Sequence, residues 1–390
     1  MSAWSAWDRQ RRIFAVAAAA VGVASIFYAL TLRFDFFGPR LVTAIDDIGE
    51  AVAAAIASGA CAWAANRAQG RNRVGWALMG VSAGLWAAGE VVWSIYEVVL
   101  GQQVPSPSLA DAGFLAAVPF AVAGIRAFWG DAAGTASRWR VWFDGLIVAI
   151  ALVSTSWGFG LRLVWDSNAD LATKALALAY PVGDIVIGTV LILAIRRATG
   201  RQKGRMALLL TGVAFYSIAD SAFAYLTVQG TYSSVGSVLN TGWFAGFLLI
   251  ALAAIYPEAP TKVAARQAPL DLWQLALPWM TLLTAAAGDF FTALSHQDAG
   301  LFQPAMTLLL AALLTVNMII ERREFLEMLT EMETARSTLN RDFKSALTGI
   351  QLLSEKVKDA DHAYDEGVRV LAADIHAQAE RLDQMVERIL

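Results

Sequence analysis

The chain of 390 residues contains one cysteine and three histidines. A single cysteine, Cys61, excludes an intrachain disulfide and any cysteine metal cluster. The histidines, His296, His362 and His376, do not supply two facing imidazoles inside apolar segments, which a bis-histidine membrane haem requires. The sequence also offers no nucleophile–base set. We therefore expect no cofactor, no metal site and no catalytic residues.

Charged residues are also scarce, since they make up 16% of the chain against about 25% in soluble domains. Apolar residues make up 57%, where soluble domains have about 45–50%. This excess predicts a polytopic membrane protein that has the lipid bilayer as its surroundings. The net charge of −3 gives no reason to expect a nucleic-acid partner.

Ten apolar segments are long enough to cross about 30 Å of hydrocarbon. They lie at 13–32, 41–65, 74–99, 107–128, 141–165, 174–195, 206–228, 236–256, 270–294 and 300–320. The first segment is longer than the apolar core of a secretory signal, so we interpret it as an uncleaved span. The predicted fold is therefore all-α.

Basic residues alternate between the loops that connect these segments. One set of connections contains 18 arginines and lysines, and the alternate set contains four. Because cytoplasmic loops carry the excess of basic residues, we expect both termini in the cytoplasm. The predicted location is the inner membrane of a bacterium.

Composition divides the chain into five parts. We predict an eight-span sensory region over residues 1–256, a linker over 257–269 and a final pair of spans over 270–320. The linker, PEAPTKVAARQAP, is rich in proline. A coiled-coil signalling helix over 321–342 and a helical hairpin over 343–390 complete the predicted organisation.

The last 70 residues form a polar tail, since 25 of them are charged. Apolar residues recur in this tail at heptad spacing and form one stripe. The step from Leu339 to Phe343 is four residues where the heptad needs three, and such a stutter locally unwinds a coiled coil. A single hairpin cannot bury both of its stripes, so two hairpins are predicted to form a homodimeric four-helix bundle. The predicted dimer interface is Phe325, Met332, Leu339, Phe343, Ile350, Leu353, Leu371, Ile375, Leu382 and Met385.

Within the tail, the segment RDFKSALTGI resembles the H-box of sensor histidine kinases, which reads His-(Glu/Asp)-Leu-Arg-(Thr/Ser)-Pro-Leu-Thr-x-Ile. The residues that fit are Asp342, Phe343, Lys344, Ser345, Leu347, Thr348 and Ile350. Arg341 stands at the position of the phosphoacceptor histidine, and Ala346 replaces the proline. The segment IHAQAERLDQMVERIL is similar to the second helix of the same dimerisation module.

The departure at Arg341 bears directly on activity. A guanidinium stays protonated in proteins and cannot accept a phosphoryl group as an imidazole does. The sequence also lacks the family's nucleotide-binding boxes, so we expect no kinase activity from the chain as written. It is either a degenerate relative that signals through dimer geometry or a piece of a longer kinase. His376 is either a substitute acceptor or a solvated flanking histidine.

A second resemblance covers about residues 105–256. The segments SPSLADAGFLAAVPF, WFDGLIVAIAL, AYPVGDIVIG, YSIADSAFAYL and TGWFAGFLLIALAA resemble a membrane sensory region that precedes diguanylate-cyclase and kinase output domains in bacteria. This resemblance implies an input role with an unspecified ligand. The tail resemblance implies a response regulator or a complete kinase as the partner.

Ionisable side chains inside spans are costly and are therefore candidates for function. The predicted ligand-binding residues are Asp46, Asp47, Glu50, Trp86, Glu90, Trp93, Glu97, Asp111, Asp184, Asp220 and Asp289. The predicted orientation places most of these acids in the outer halves of their spans, and Trp86, Glu90, Trp93 and Glu97 share one α-helical stripe. We therefore predict an acidic cleft that is open to the outside.

Two interpretations of these acids remain. Aromatic rings beside carboxylates suit a small organic cation or amine, whereas carboxylates alone would suit a hard metal ion. Alternatively, each acid accepts a hydrogen bond from a neighbouring serine, tyrosine or tryptophan and ties two helices together.

Three functions are compatible with the sequence. The leading hypothesis is a membrane signal receptor whose last helix carries the signal into the dimeric tail. The second is a proton- or cation-coupled transporter or channel that uses intramembrane carboxylates, although the sequence shows no internal repeat. The third, a membrane enzyme with paired acids, has no nucleophile–base set to support it.

Overall fold

The computed structural model describes residues 3–105, 107–128, 138–157, 161–168, 170–198, 201–228, 232, 237–257, 302–359 and 365–389, together with the single positions Leu283, Ala286 and Phe290. Within these residues the regular structure is helical and contains no strand, which confirms the predicted all-α class. The chain divides into two units, Met1–Leu314 and Thr315–Leu390.

The described helices are numbered here in chain order. Their bounds are α1 Ala3–Phe34, α2 Pro39–Arg67, α3 Gly70–Ser94, α4 Leu109–Ala127, α5 Arg138–Ser156, α6 Arg162–Asp166, α7 Leu171–Arg197, α8 Arg201–Val228, α9 Thr241–Ala254, α10 Phe302–Asp359 and α11 Glu366–Ile389. A π-helical turn, Ile95–Val99, follows α3, and a 3-10 turn, Val238–Asn240, precedes α9.

Seven helices in the described part of the chain are long and apolar enough to cross a membrane. They are Arg9–Phe34, Pro39–Arg67, Gly70–Val99, Leu109–Ala127, Leu171–Ile195, Gln202–Thr227 and Phe302–Lys356. Each coincides with one of the ten predicted spans. Two further predicted spans form shorter apolar helices, Phe143–Ser156 and Val238–Ala254, and the segment predicted at 270–294 lies outside the described residues except at three positions.

Two of the predicted spans contain short helices. The 14 residues of α9 rise about 21 Å at 1.5 Å per residue, which is less than the hydrocarbon thickness. The segment predicted as one span at 141–165 contains the end of α5 at Ser156 and the start of α6 at Arg162, and residues 158–160 between them lie outside the described part.

Six helices of the first unit form a closed ring. Helix α2 packs on α3, α3 on α4, α4 on α7, α7 on α8, α8 on α9, and α9 returns to α2. Helices α1 and α5 pack against the ring, on α9 and α7 respectively. The beginning of α10 packs on α5, where Leu310 and Leu314 join Ile147 and Ala151 in a small apolar cluster. The ring thus encloses a central space.

Small side chains let the ring helices approach closely, as is usual for helices that pack in lipid. The buried face of α2 is Ala53, Ala54, Ala57, Cys61 and Ala64. At the crossing of α8 and α9, a Cβ on Gly212 would lie 2.7 Å from Gly246 O, and a Cβ on Gly246 would lie 2.8 Å from Gly212 O. Glycine is therefore required at both positions.

Capping interactions fix where two of the ring helices begin. The backbone N–H of Ser108 donates to Asp111 Oδ2 at 2.5 Å at the start of α4. Asp170 caps α7 by accepting the backbone N–H groups of Ala172 and Thr173 at 2.9 and 3.0 Å. Hydrogen bonds from the Thr173 N–H and hydroxyl hold the pKa of the exposed Asp170 carboxyl below its ordinary value.

The second unit contains the polar tail. Helix α10 continues without a break through the predicted stutter between Leu339 and Phe343 and ends at Asp359. Helix α11 begins at Glu366, so the connection of the predicted hairpin lies between Asp359 and Glu366. Residues 360–364 of that connection lie outside the described part.

We predict that Gly212→Ala lowers the free energy of unfolding by about 1–3 kcal/mol, because the new methyl group meets a backbone carbonyl that cannot move aside. The measurement is thermal unfolding of the full chain in detergent. Gly59→Ala is the matched control, since nothing lies within 4 Å of its Cβ position in α2. Equal stability of Gly212→Ala and Gly59→Ala would contradict the close contact of α8 with α9.

Candidate functional site

Residues from all six ring helices line a cavity that we call the acidic chamber. They are Asp47, Glu50, Trp86, Glu90, Trp93, Asp111, Phe114, Tyr180, Asp220, Phe223, Tyr232, Asn240 and Trp243. The space open to the centre of a water molecule is about 50 Å³, several times what one water requires. The ring therefore encloses a space large enough for several waters or a small ligand, with carboxyl groups in its wall.

A second cavity, the apolar chamber, lies inside the same ring. Its walls are Met79, Ser82, Ala83, Ala117, Val118, Ala121, Asp184, Ile187, Val213, Tyr216, Phe247 and Ile250, together with the shared residues Trp86, Tyr180 and Asp220. The space open to the centre of a water molecule is about 30 Å³. Because three residues line both cavities, the two chambers adjoin.

Asp46 lies beside the acidic chamber and joins three elements. Tyr28 Oη on α1 donates to Asp46 Oδ1 at 2.6 Å, and Asn240 Nδ2 donates to Asp46 Oδ2 at 2.5 Å. The same amide donates to Tyr232 Oη at 3.2 Å. The ring of Tyr28 also stacks on Phe244 of α9 at 4.2 Å between centroids. This carboxyl is therefore a structural link between α1, α2 and the start of α9.

Three carboxyls of the acidic chamber accept a hydrogen bond from an aromatic side chain. The pairs are Trp86 with Glu90 at 3.0 Å, Trp243 with Asp220 at 2.6 Å, and Tyr180 with Asp111. Two of these bonds join different helices, and bonds of this kind in lipid contribute roughly 0.6–1.7 kcal/mol each. Indole and phenol groups suit this position because they combine an apolar ring with one donor.

Asp220 lies at the junction of the two chambers, because it lines both of them, and Asp184 lines the apolar chamber. Both residues are buried, and Oδ2 of each has no hydrogen-bond partner among the described residues.

Aromatic rings connect the walls of the chambers. The centroid of Trp86 lies 4.7 Å from that of Phe114 and 5.5 Å from that of Phe247. Trp93 and Phe223 meet edge to face at 6.0 Å. The faces of such rings attract cations through their quadrupoles, so the rings and the carboxyls favour the same sign of charge.

Three carboxyl oxygens of the acidic chamber have no hydrogen-bond partner among the described residues. They are Oδ2 of Asp47, Oε1 of Glu50 and Oδ2 of Asp220, in residues that are only 4%, 6% and 5% exposed. A buried acceptor without a donor is destabilising by about 1–3 kcal/mol. These oxygens are the positions at which a bound donor would gain most.

The structure brings together most of the residues that the sequence singled out. Seven of the predicted ligand residues line the acidic chamber, Asp184 lines the apolar chamber and Asp46 lies beside the former. Glu97 does not line either chamber, because α3 ends at Ser94 and the wider π-helical turn breaks the predicted stripe. Asp289 lies outside the described residues.

Six residues that line the acidic chamber were not predicted from the sequence, and five of them are aromatic. They are Phe114, Tyr180, Phe223, Tyr232, Asn240 and Trp243. One signal was present: Tyr180 precedes Asp184 by four residues, and Tyr216 precedes Asp220 by four, which places each pair on one helix face. Asn240 and Trp243 have no comparable signal, since their partners lie on distant segments.

In the tail, nine of the ten predicted interface residues are exposed by 42–66% in the single chain. They are Phe325, Met332, Leu339, Phe343, Ile350, Leu353, Leu371, Ile375 and Leu382, while the side chain of Met385 lies outside the described part. The buried residues of the hairpin are instead Leu347, Ser354, Ala372 and Ala379. Because three of these are small, the hairpin leaves its apolar stripe uncovered.

The two tail residues linked to phosphotransfer differ in their surroundings. The side chain of Arg341 is 80% exposed, with Asp342 Oδ1 3.9 Å from its Nε. His376 is half-buried, and a 2.9 Å hydrogen bond joins its Nδ1 to Ser354 Oγ. Since that hydroxyl donates its proton to Gln351 O, we assign Nδ1–H as the donor to Ser354. His376 therefore helps to hold α11 against α10.

Comparison with known proteins gives no match: no family model matches this sequence, and neither a curated protein nor a solved structure is significantly similar to it.

We predict that Tyr28→Phe destabilises the chain by about 0.5–2 kcal/mol, because it removes the donor to Asp46 and keeps the stack on Phe244. A double-mutant cycle with Asp46→Asn, followed by thermal unfolding in detergent, isolates the pair. The control is Tyr225→Phe, whose hydroxyl makes no hydrogen bond within the described residues. Additive effects of Tyr28→Phe and Asp46→Asn would show that the two side chains do not interact.

Proposed function

We propose that this protein is a bacterial inner-membrane signal receptor. The helix ring around the acidic chamber would detect a stimulus, and the polar tail would report it inside the cell. In this proposal the chain crosses the membrane ten times, with both termini in the cytoplasm. The alternation of basic loops supports that orientation.

One observation carries the proposal more than any other: α10, Phe302–Asp359, contains both an apolar span and the polar heptad segment. A continuous helix would be a direct route by which a shift or rotation in a span reaches the tail. Its first turns contact α5, which in turn packs on the ring helix α7. The ring is thus linked by contacts to the start of this helix.

The output would be a homodimer of the tail. The uncovered stripe fits a second copy because its heptad spacing is that of a two-stranded seam, and because a hairpin with one stripe per helix pairs into a four-helix bundle. Arg341 would make this module silent in phosphotransfer. The dimer would then act on a response regulator or a complete kinase through its geometry.

A transporter or channel is the second candidate, and the acidic chamber inside a helix ring is the observation that favours it. A transport function would leave the exposed stripe of the tail without a role. Flux of protons or amines in proteoliposomes, abolished by Glu90→Gln, would favour transport over reception.

We predict that the full chain is dimeric in lipid and that Leu353→Glu combined with Leu382→Glu makes it monomeric. Two carboxylates in the seam would face the same charges of the second copy, and their desolvation would oppose association. The measurement is native mass spectrometry from lipid nanodiscs. Lys356→Ala, on the exposed surface of the same helix, should leave the dimer intact. A wild-type chain that is monomeric at all concentrations would refute the proposed output.

We further predict that a change in the acidic chamber alters the spacing of the tail helices. A spin label at Glu355→Cys, in a Cys61→Ala background, reports the distance between copies by pulsed electron resonance. Glu90→Gln should shift the mean distance by about 2–5 Å, the scale of helix shifts and one-turn register changes. Asp144→Asn, a span acid outside both chambers, is the control. Identical distances for Glu90→Gln and wild type would contradict signal transmission.

A further inference from the structure

We propose that the acidic chamber binds a small protonated primary amine, with the apolar substituent of the amine in the adjoining apolar chamber. The inference rests on the receptor function proposed above, since it names the class of ligand that the ring would detect. It follows from charge, hydrogen-bond capacity, aromatic lining and the arrangement of the two chambers.

The charge of the chamber calls for a cation. Five carboxyl groups line it, and none of the described lining residues is basic. The donors to Glu90, Asp111 and Asp220 are neutral tryptophan and tyrosine side chains and, at Asp111, the backbone N–H and hydroxyl of Ser108. A bound cation would therefore supply the positive charge that the described walls lack.

The free acceptors specify N–H groups on that cation. Asp47 Oδ2 and Glu50 Oε1 are buried and have no donor among the described residues. A primary ammonium carries three N–H donors, whereas a quaternary ammonium carries none. The chamber should therefore prefer a primary amine over its fully methylated counterpart.

The walls favour an organic cation over a metal ion. Within the described residues, no group of three or more histidine, cysteine, aspartate or glutamate side chains is arranged to hold a metal. The same chamber contains the rings of Trp86, Trp93 and Phe223, which attract ammonium groups through their faces.

The apolar chamber specifies the remainder of the ligand. It adjoins the acidic chamber at Trp86, Tyr180 and Asp220, and most of its wall is aliphatic or aromatic. A hydrocarbon group attached to the ammonium would leave water on entering this space and would thereby add affinity. A tail of a few carbons or one phenyl ring suits its size.

The test measures binding of phenethylammonium to the full chain in lipid nanodiscs by isothermal titration calorimetry. The comparison ligands are 2-phenylethanol, which has no charge, trimethyl(phenethyl)ammonium, which has no N–H, and methylammonium, which has no tail. We expect phenethylammonium to bind at least tenfold more tightly than each of the three.

Variants locate the site. Glu50→Gln should weaken phenethylammonium binding at least tenfold, and Trp93→Leu should weaken it severalfold while keeping the wall apolar. Asp144→Asn, on α5 outside both chambers, should bind as wild type does. Thermal unfolding of each variant verifies that it is folded. If Glu50→Gln does not fold, Trp93→Leu alone tests whether the acidic chamber is the binding site.

Equal affinity for phenethylammonium and 2-phenylethanol would overturn the inference, as would undetectable binding of phenethylammonium by folded wild-type chain. Such a result leaves the receptor proposal to its own measurement, the distance between tail labels in wild type and Glu90→Gln. Conversely, if the amine binds but the distance between the tail labels does not change, the proposed ligand is supported and the proposed receptor function is contradicted.

Discussion

A carboxyl group inside a bilayer must obtain a hydrogen-bond donor or a counter-charge from the protein, because lipid tails offer neither. This requirement organises the ring of helices. Asp46 is held by Tyr28 of α1 and by Asn240 before α9. Asp111 on α4 bonds to Tyr180 on α7, a residue 69 positions away. Each acid thus brings a distant helix into place.

The sequence predicts the parts of this arrangement that depend on one segment at a time. Hydropathy locates the spans, and the cost of burying charge singles out residues such as Glu50 and Glu90. The closure of the ring was not predictable, since it depends on pairings between distant segments. Asn240 and Asp46 are separated by 194 residues, and neither has a local pattern that names the other. Glu97 shows the converse limit, because a π-helical turn altered the spacing on which its placement relied.

The tail separates local from tertiary information in the same way. Heptad spacing predicts which side chains form the stripe, and those of residues such as Leu353 and Leu371 are indeed exposed in the single chain. The contact that closes the hairpin follows a different face, with Ala372 and Ala379 buried beside His376. Apolar periodicity in a sequence identifies the large apolar side chains. It does not identify the small side chains that allow two helices to approach closely.

The weak hydrogen bonds between the ring helices and the stronger contacts that a ligand would make suit the receptor function proposed above. Hydrogen bonds between helices in lipid are individually weak, at roughly 0.6 kcal/mol on average, so the contacts around the chambers can rearrange at low cost. A ligand that bonds to Glu50 and Asp47 would add contacts of similar or greater strength to only one arrangement of the ring. A ligand shifts an equilibrium only by its difference in affinity for the two states. A chamber with free, buried carboxyl oxygens therefore has the capacity for a large difference in affinity, and the weak hydrogen bonds between the ring helices would offer little resistance to a rearrangement.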